Sequence, residues 1–452
     1  MNTLQVGFAT VNINPPLGIP VCGYFVKRYA RGFLDDLEVS AMALACNESS
    51  VVLISVDICY FENDFANKIR ASVAEVIGMP LENIFLSATH THTGPGSILD
   101  KNEGNDLTAS YNSFLENRIC DVVRLALLDL KPAKMGYIVG YAPERVAYIR
   151  RYKMKDGSTM TCPPVGSPEI EGPIGELDQR VNVLRFDRDG GKSIVIVNYG
   201  VHADTVNGDM ISSDWPGWMR RTLDKALDGV KSMFIAGCEG DVGSTNVFPR
   251  DGDMNDTEIS FDNEMKSPGM ARFVGRAIAG TVLQVYDKVK YIDVNKISVL
   301  HKIAKIPSNM PKAEEMPLAR RYMDLHKAGK ENEIPFEAME LTTVVAEAER
   351  MCLLENGPEY FDMDFMGIKL GEVAIVGIPG EPFTEVGVGI KDTDGWGIIM
   401  PCALVNGSMG YFPMMSAYNE GGYEARSTRF KAGVGERIIE NSKAVLDEMV
   451  KM

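Results

Sequence analysis

The chain has 452 residues, 45% of them hydrophobic, and a formal net charge of −16. That length and hydrophobic share build a globular protein of one large or two to three ordinary domains. The acidic balance disfavours nucleic acid and anionic membrane surfaces as partners, because both bind basic patches.

The N-terminal Met1-Asn-Thr-Leu-Gln-Val-Gly-Phe-Ala9 lacks a basic stretch followed by an apolar core, so no signal peptide is expected and the cytoplasm is the expected compartment. Val51-Val-Leu-Ile-Ser-Val-Asp-Ile58 is the apolar, β-branched run of a buried strand, and Ala66 to Ile77 follows with helical spacing. The apolar stretch from Val51 to Phe61 includes Asp57 and is far shorter than the roughly 20 residues of a membrane span, so no transmembrane segment is expected. A second strand, Asn83 to Ala88, runs into Thr89-His90-Thr91-His92-Thr93-Gly94-Pro95-Gly96. Helical spacing returns from Tyr111 to Leu130. Further on, Ser193-Ile-Val-Ile-Val-Asn-Tyr-Gly200 ends in Val201-His202, and Ser232 to Gly237 ends in a small polar loop from Cys238 to Asn246. Ala374-Ile-Val-Gly-Ile378 ends in Pro379-Gly380-Glu381.

Apolar strands that each deliver a polar residue to a loop are the pattern of α/β enzymes, whose sites gather at strand ends. Two segments read as peripheral: Arg250 to Lys266 as a surface loop, and 311–350 as a helical excursion. Neither a linker nor a repeat of 20 to 50 residues is apparent, and a single domain over 1–452 is expected. The eight cysteines (22, 46, 59, 120, 162, 238, 352, 402) form no CxxC pair, which suits reduced thiols, most of them core fillers.

Of five histidines, His90, His92 and His202 fall at strand ends, whereas His301 and His326 have less distinctive settings. In an extended segment residues i and i+2 share a side, so His90 and His92 are expected to address one cavity. Zinc favours imidazole nitrogen and carboxylate oxygen and keeps a position open for water in catalytic sites. His90, His202 and Glu381 make such a set, although a glutamate after a Pro-Gly turn is ordinarily just solvated. Asp57 is equally unremarkable alone, and Asp214, before Trp215-Pro-Gly-Trp218, reads as a helix N-cap. The Gly237 to Asn246 loop matches no phosphate-binding fingerprint, but its amides are suited to cradling an oxyanion. Tyr411 and Tyr423 lie in a tyrosine- and glycine-rich tail where packing is the ordinary role.

Leu86-Ser-Ala-Thr-His-Thr-His-Thr-Gly-Pro-Gly96 resembles the signature of the neutral/alkaline, non-lysosomal ceramidases. Asn12-Ile-Asn-Pro-Pro-Leu-Gly18, Ser55-Val-Asp57, Asn182-Val-Leu-Arg-Phe-Asp187, Ile211-Ser-Ser-Asp-Trp-Pro-Gly217 and Ile378-Pro-Gly-Glu381 support the resemblance in the same order. It implies a mixed β-sheet core flanked by helices and hydrolysis of a carbon–nitrogen amide bond with Zn2+. It also implies metal ligation by His90, His202, Glu381 and Tyr411, with His92 as the proton-handling neighbour, Tyr423 as the second site tyrosine and Arg150 contacting substrate beside Arg151. The family's serine directly follows a Gly-Asp-Val triplet. Here Gly243 intervenes before Ser244, which puts the serine role in doubt. The chain resembles the catalytic domain alone, a short form without the family's C-terminal immunoglobulin-like domain. The expected partner is a small-molecule amide, an N-acyl lipid included. An ester or other carbonyl hydrolase at the same metal and a non-catalytic ligand-binding homologue are the alternatives.

Overall fold

The computed structural model describes residues 4–96, 106–259 and 264–452. The start of the N-terminal segment (1–3) and the middle of the Arg250 to Lys266 stretch (260–263) lie outside the described residues.

A large mixed sheet runs in the order Lys231–Ala236, Ile194–Tyr199, Arg180–Arg188, Lys131–Tyr141, Gln5–Asn12, Glu38–Cys46, Ser49–Val56, Ile84–Ala88, with Lys290–Ile292 pairing beside Lys131–Tyr141. Its outermost pairs are parallel and the inner ones antiparallel. Alternation along each strand assigns the faces. Val39, Ala41 and Ala43 point to one core with Val52, Ile54 and Val56, and Met42 and Leu44 point to another with Leu53. The first core is closed by the helices Asn63–Ile77, Asp106–Leu128, Asp214–Ala226 and Pro268–Val285. In the last of these Ser267 accepts a hydrogen bond from the Met270 amide while Pro268 occupies the first turn.

The second core is filled from a second, four-stranded sheet, Ile297–Pro307, Tyr360–Leu370, Val373–Gly377 and Ile398–Cys402. Met366, Ile368, Val373, Ile375 and Met400 face the large sheet, whereas Phe365, Ala374 and Val376 face the helices Thr384–Lys391 and Val434–Val450. The result is four layers, helix, sheet, sheet, helix. The expectation of a mixed sheet flanked by helices holds, with the second sheet an addition.

Two polar contacts organise the end of the molecule where the site forms. Ser55 Oγ donates to the Phe234 carbonyl at 2.6 Å, tying the edge strand Lys231–Ala236 to the strand next to the opposite edge of the large sheet. Buried Asn198 donates to the carbonyls of Ile235 and Ala236 at 3.2 Å and of Pro401 at 3.1 Å, tying the large sheet to the small one. The ends of Ile84–Ala88, Ile194–Tyr199, Lys231–Ala236 and Val373–Gly377 are thereby collected around one place. No described helix is long and apolar enough to cross a membrane.

The 311–350 stretch forms the helices Met316–Lys327 and Ala338–Leu354. The Arg250 to Lys266 reading needs correction. Its first part is largely exposed, but Met265 and Lys266 are buried, because the ammonium of Lys266 sits among Asp204, Glu264 and Tyr24.

His301 bridges the small sheet to the turn at Leu81–Asn83. Its Nδ1 lies 2.8 Å from the Asp364 carboxylate and its Nε2 2.8 Å from the Glu82 carbonyl, so both nitrogens have acceptors and the imidazolium fits. Burial works against that charge, but Asp364 overrides it and holds the pKa above the usual value. A raised pKa contributes stability below the unfolded value near 6.5, and loses it as pH rises through the folded value. His301→Gln is therefore expected to cost about 1 kcal/mol in denaturant melts at acidic pH and markedly less in alkaline buffer, partial exposure screening the pair. Equal losses at both pH values sink this assignment.

Candidate metal centre

His90 follows the strand Ile84–Ala88 but is not extended. Its φ is +69°, a left-handed conformation that costs a non-glycine residue on the order of 1–3 kcal/mol and tends to mark functional positions. The expectation that His90 and His92 share a cavity holds in outcome: their Nε2 atoms lie 3.2 Å apart, both rings buried. The cause is this kink and not strand alternation. Main-chain bonds hold it, from Thr89 N to the Val56 carbonyl, His90 N to the Ile58 carbonyl and His92 N to the Ala203 carbonyl.

The tautomers of two histidines follow from their neighbours. His90 Nδ1 lies 2.8 Å from the Cys59 carbonyl, and His202 Nδ1 lies 2.8 Å from the Glu239 carbonyl and 3.1 Å from that of Val242. Carbonyl oxygens only accept, so each Nδ1 carries the proton and each Nε2 presents a lone pair. Those lone pairs converge on one atom, Glu381 Oε2, 3.3 Å from His90 Nε2 and 3.2 Å from His202 Nε2. His202 Nε2 and Glu381 Oε2 are buried and make no hydrogen bond. Acceptors facing acceptors in a dry site fit a cation, and anchored Nδ1 atoms are how proteins orient metal-binding imidazoles. The three ligand atoms lie within 4.8 Å of one another, as a small ion requires.

Glu381 is therefore not the solvated glutamate its turn suggests. It pairs in parallel with Tyr411 across a two-residue bridge, Glu381–Pro382 beside Tyr411–Phe412. Gly380 permits that pairing, since a Cβ there would lie 2.6 Å from the Gly410 carbonyl oxygen. Without a metal the cluster stores a proton. Burial disfavours charge on His90, but Glu381 raises its pKa to about 9, while burial and Arg150 lower His202 to about 4. Glu381 itself is held well below the carboxylate range, the two histidines outweighing burial. His92 is pushed well below its usual value by burial and by the charges of His90, His202 and Lys266, so it is neutral at pH 7.

Tyr411 lies beside His202, ring centroids 6.4 Å apart, and 5.5 Å from Tyr423. Burial, and then Glu381, keep both phenols protonated. Arg150 places its guanidinium 5.4 Å from the Tyr411 ring centre, and its Nε donates to buried Glu424 at 2.7 Å. Arg151 turns away to Glu420 and the ring of Phe383, so the arginine on the tyrosine side is Arg150.

Other expectations are revised. The amides of Gly240 and Val242 are spent on the carbonyls of Pro382 and Glu239, so the 237–246 loop holds His202 through its carbonyls and does not offer those amides to an anion. Asp214 begins the helix at φ +54°, and its carboxylate accepts from the amides of Thr205, Val206 and Trp215, so it pins the 205–206 turn more than it caps. Ser244 is buried beyond the Val242–Gly243 bridge, and none of the His90, His202 and Glu381 side chains bonds to it. All eight cysteines are free, and Cys59 Sγ lies 4.0 Å from His90 Nδ1, on the side of the ring that its own carbonyl occupies.

The sequence reading missed three contributors. Asp204 Oδ2 lies 3.6 Å from His92 Nδ1 and 2.6 Å from Lys266 Nζ. Glu424, one residue past Tyr423, anchors Arg150 and accepts from Thr161 at 2.8 Å. Glu239 is a buried carboxyl raised well above the usual range by burial and Glu381, with His90 and Arg150 easing it. The spacing in His202-Ala-Asp204 was the available signal for Asp204, whereas nothing local marked Glu239.

No family model matches the chain. It is 24% identical over 237 residues to neutral ceramidase A of Dictyostelium discoideum, a match covering 47% of this chain and 32% of that protein's length. The crystal structure of neutral ceramidase from Pseudomonas aeruginosa superposes with a TM-score of 0.69 at 15% identity, over 99% of this chain and 75% of that one. A structure titled ceramidase complexed with C2 gives 0.70, also at 15% identity, over 99% and 76%. The chain thus shares the fold of the neutral ceramidases over nearly its whole length, and the partial sequence match points the same way.

Proposed function

We propose that this protein is a zinc-dependent hydrolase cleaving the carbon–nitrogen bond of an N-acyl amide. The observation that carries the reading is the convergence of two carbonyl-anchored histidines and Glu381 on one dry point. His90, His202 and Glu381 would hold the metal, with Tyr411 as the fourth ligand. When bound, zinc supplies a Lewis acid for the substrate carbonyl and lowers the pKa of a bound water to roughly 7.

The chain's own groups supply the rest. His92, neutral and against His90, takes and returns a proton at Nε2. The protonated phenol of Tyr423 donates to the oxygen that gains charge. Arg150, fixed by Glu424 and by the Gly240 carbonyl at 2.9 Å, orients the substrate.

The test is purified protein, analysed for metal and assayed against short and long N-acyl amides, a ceramide and matched esters. Roughly one zinc per chain with chelator-sensitive amide hydrolysis is expected. Absence of metal binding, or cleavage of esters alone, overturns the proposal. Tyr423→Phe should lower kcat on the order of 10²-fold with little change in KM, as loss of one oxyanion donor does. Unchanged kcat removes Tyr423 from the mechanism.

A further inference from the structure

Glu239 is 1% exposed, and neither of its carboxylate oxygens makes a hydrogen bond. Glu381 apart, the other buried carboxylates among the described residues are satisfied. Asp57 binds Arg220, Asp214 accepts three amides, Asp241 accepts from the amide and hydroxyl of Thr384, and Glu424 binds Arg150 and Thr161. A buried acid with no partner is costly in either protonation state, since the ionised form lacks donors and the neutral form lacks an acceptor. The residue is also fixed in place. Its carbonyl receives His202 Nδ1–H and the Val242 amide, and the next residue, Gly240, packs so tightly on the Glu381 segment that a Cβ there would lie 2.5 Å from the Glu381 carbonyl oxygen. Glu239 is thus wedged between the two segments that carry His202 and Glu381, within electrostatic reach of His90, Glu381 and Arg150.

We infer that Glu239 is a further carboxylate of the metal site, compensating the bound divalent cation from outside its ligand sphere. The inference rests on the metal-site reading above. Glu239 is not among the three residues whose ligand atoms lie within 4.8 Å of one another, so the role inferred for it is one outside the ligand set. The charge arithmetic agrees. Two neutral imidazoles, the protonated phenol of Tyr411 and one carboxylate leave a divalent ion with one uncancelled positive charge in a dry site, and a second carboxylate cancels it.

Zinc alone is the probe, titrated by competition with a chromophoric chelator into wild-type, Glu239→Gln and Glu239→Asp proteins, with thermal melts of each in metal-free and zinc-loaded form. Glu239→Gln is expected to lose 10- to 100-fold in zinc affinity, the usual scale for residues beyond the direct ligands. Its metal-free form should melt at or above the wild-type temperature, because a buried acid has been removed. Glu239→Asp keeps the charge and should retain most of the affinity. A folded Glu239→Gln protein that binds zinc as wild type does overturns this inference and leaves the hydrolase reading standing. Wild-type protein that binds no zinc overturns both.

Discussion

Glu381→Gln should leave a folded protein that no longer retains zinc and no longer hydrolyses its substrate. The substitution keeps shape and volume and removes one charge at the point where His90 Nε2 and His202 Nε2 converge. In the metal-free protein the change is benign, because a glutamine NH2 turned toward the two imidazoles takes over the donor role of the proton that His90 holds against the carboxylate. The metal loses an anionic ligand, so affinity should fall by more than the roughly 10- to 100-fold typical of residues outside the ligand set. Glu381 is the better target than His90, because replacing His90 also alters a residue held in a left-handed backbone conformation. The checks are chelator competition, zinc-induced change in Tm, and kcat/KM at saturating zinc. Wild-type zinc affinity in this variant would show that the three-residue cluster is not the metal centre.

How far the sequence reached is clearest at the residues that compose this cluster. His90, His202 and Glu381 were legible because each ends an apolar strand, and strands signal themselves through β-branched runs. That they converge was not, since convergence depends on two contacts with no local signature, Ser55 to Phe234 and Asn198 to the facing sheet. The second sheet was hidden for a related reason: strands buried on both faces read alike whether they lie in one sheet or two. Glu239 was invisible because its loop is all small or polar residues, and only burial distinguishes an unpartnered acid from a solvated one. Lys266 was misplaced by the opposite error, a charged residue assigned to the surface although three partners wait for it inside.

Asp57→Ala should be the most destabilising single substitution near the site. The carboxylate is fully buried and accepts from Arg220 Nη1 at 2.9 Å and Nη2 at 2.6 Å, from Thr89 Oγ1 at 3.1 Å and from the Glu38 amide at 2.9 Å. Removing it strands the buried guanidinium, which the half-exposed Glu38 carboxylate 3.9 Å away and the more distant Asp224 compensate only weakly. Breaking a buried pair from one side costs about 3–5 kcal/mol. With an unfolding entropy of about 2.1 cal/mol/K per residue, a protein of this size should lose roughly 3–5 °C in Tm. The function of the contact separates from its stability in the double variant Asp57→Leu with Arg220→Met. Replacing both ions by apolar side chains is often neutral for folding, so Tm should recover. The tie to Thr89, the residue before His90, is not restored, so zinc affinity should stay below wild type even in the refolded double variant. Full recovery of both would mean that Asp57 stabilises the fold without positioning the kinked histidine.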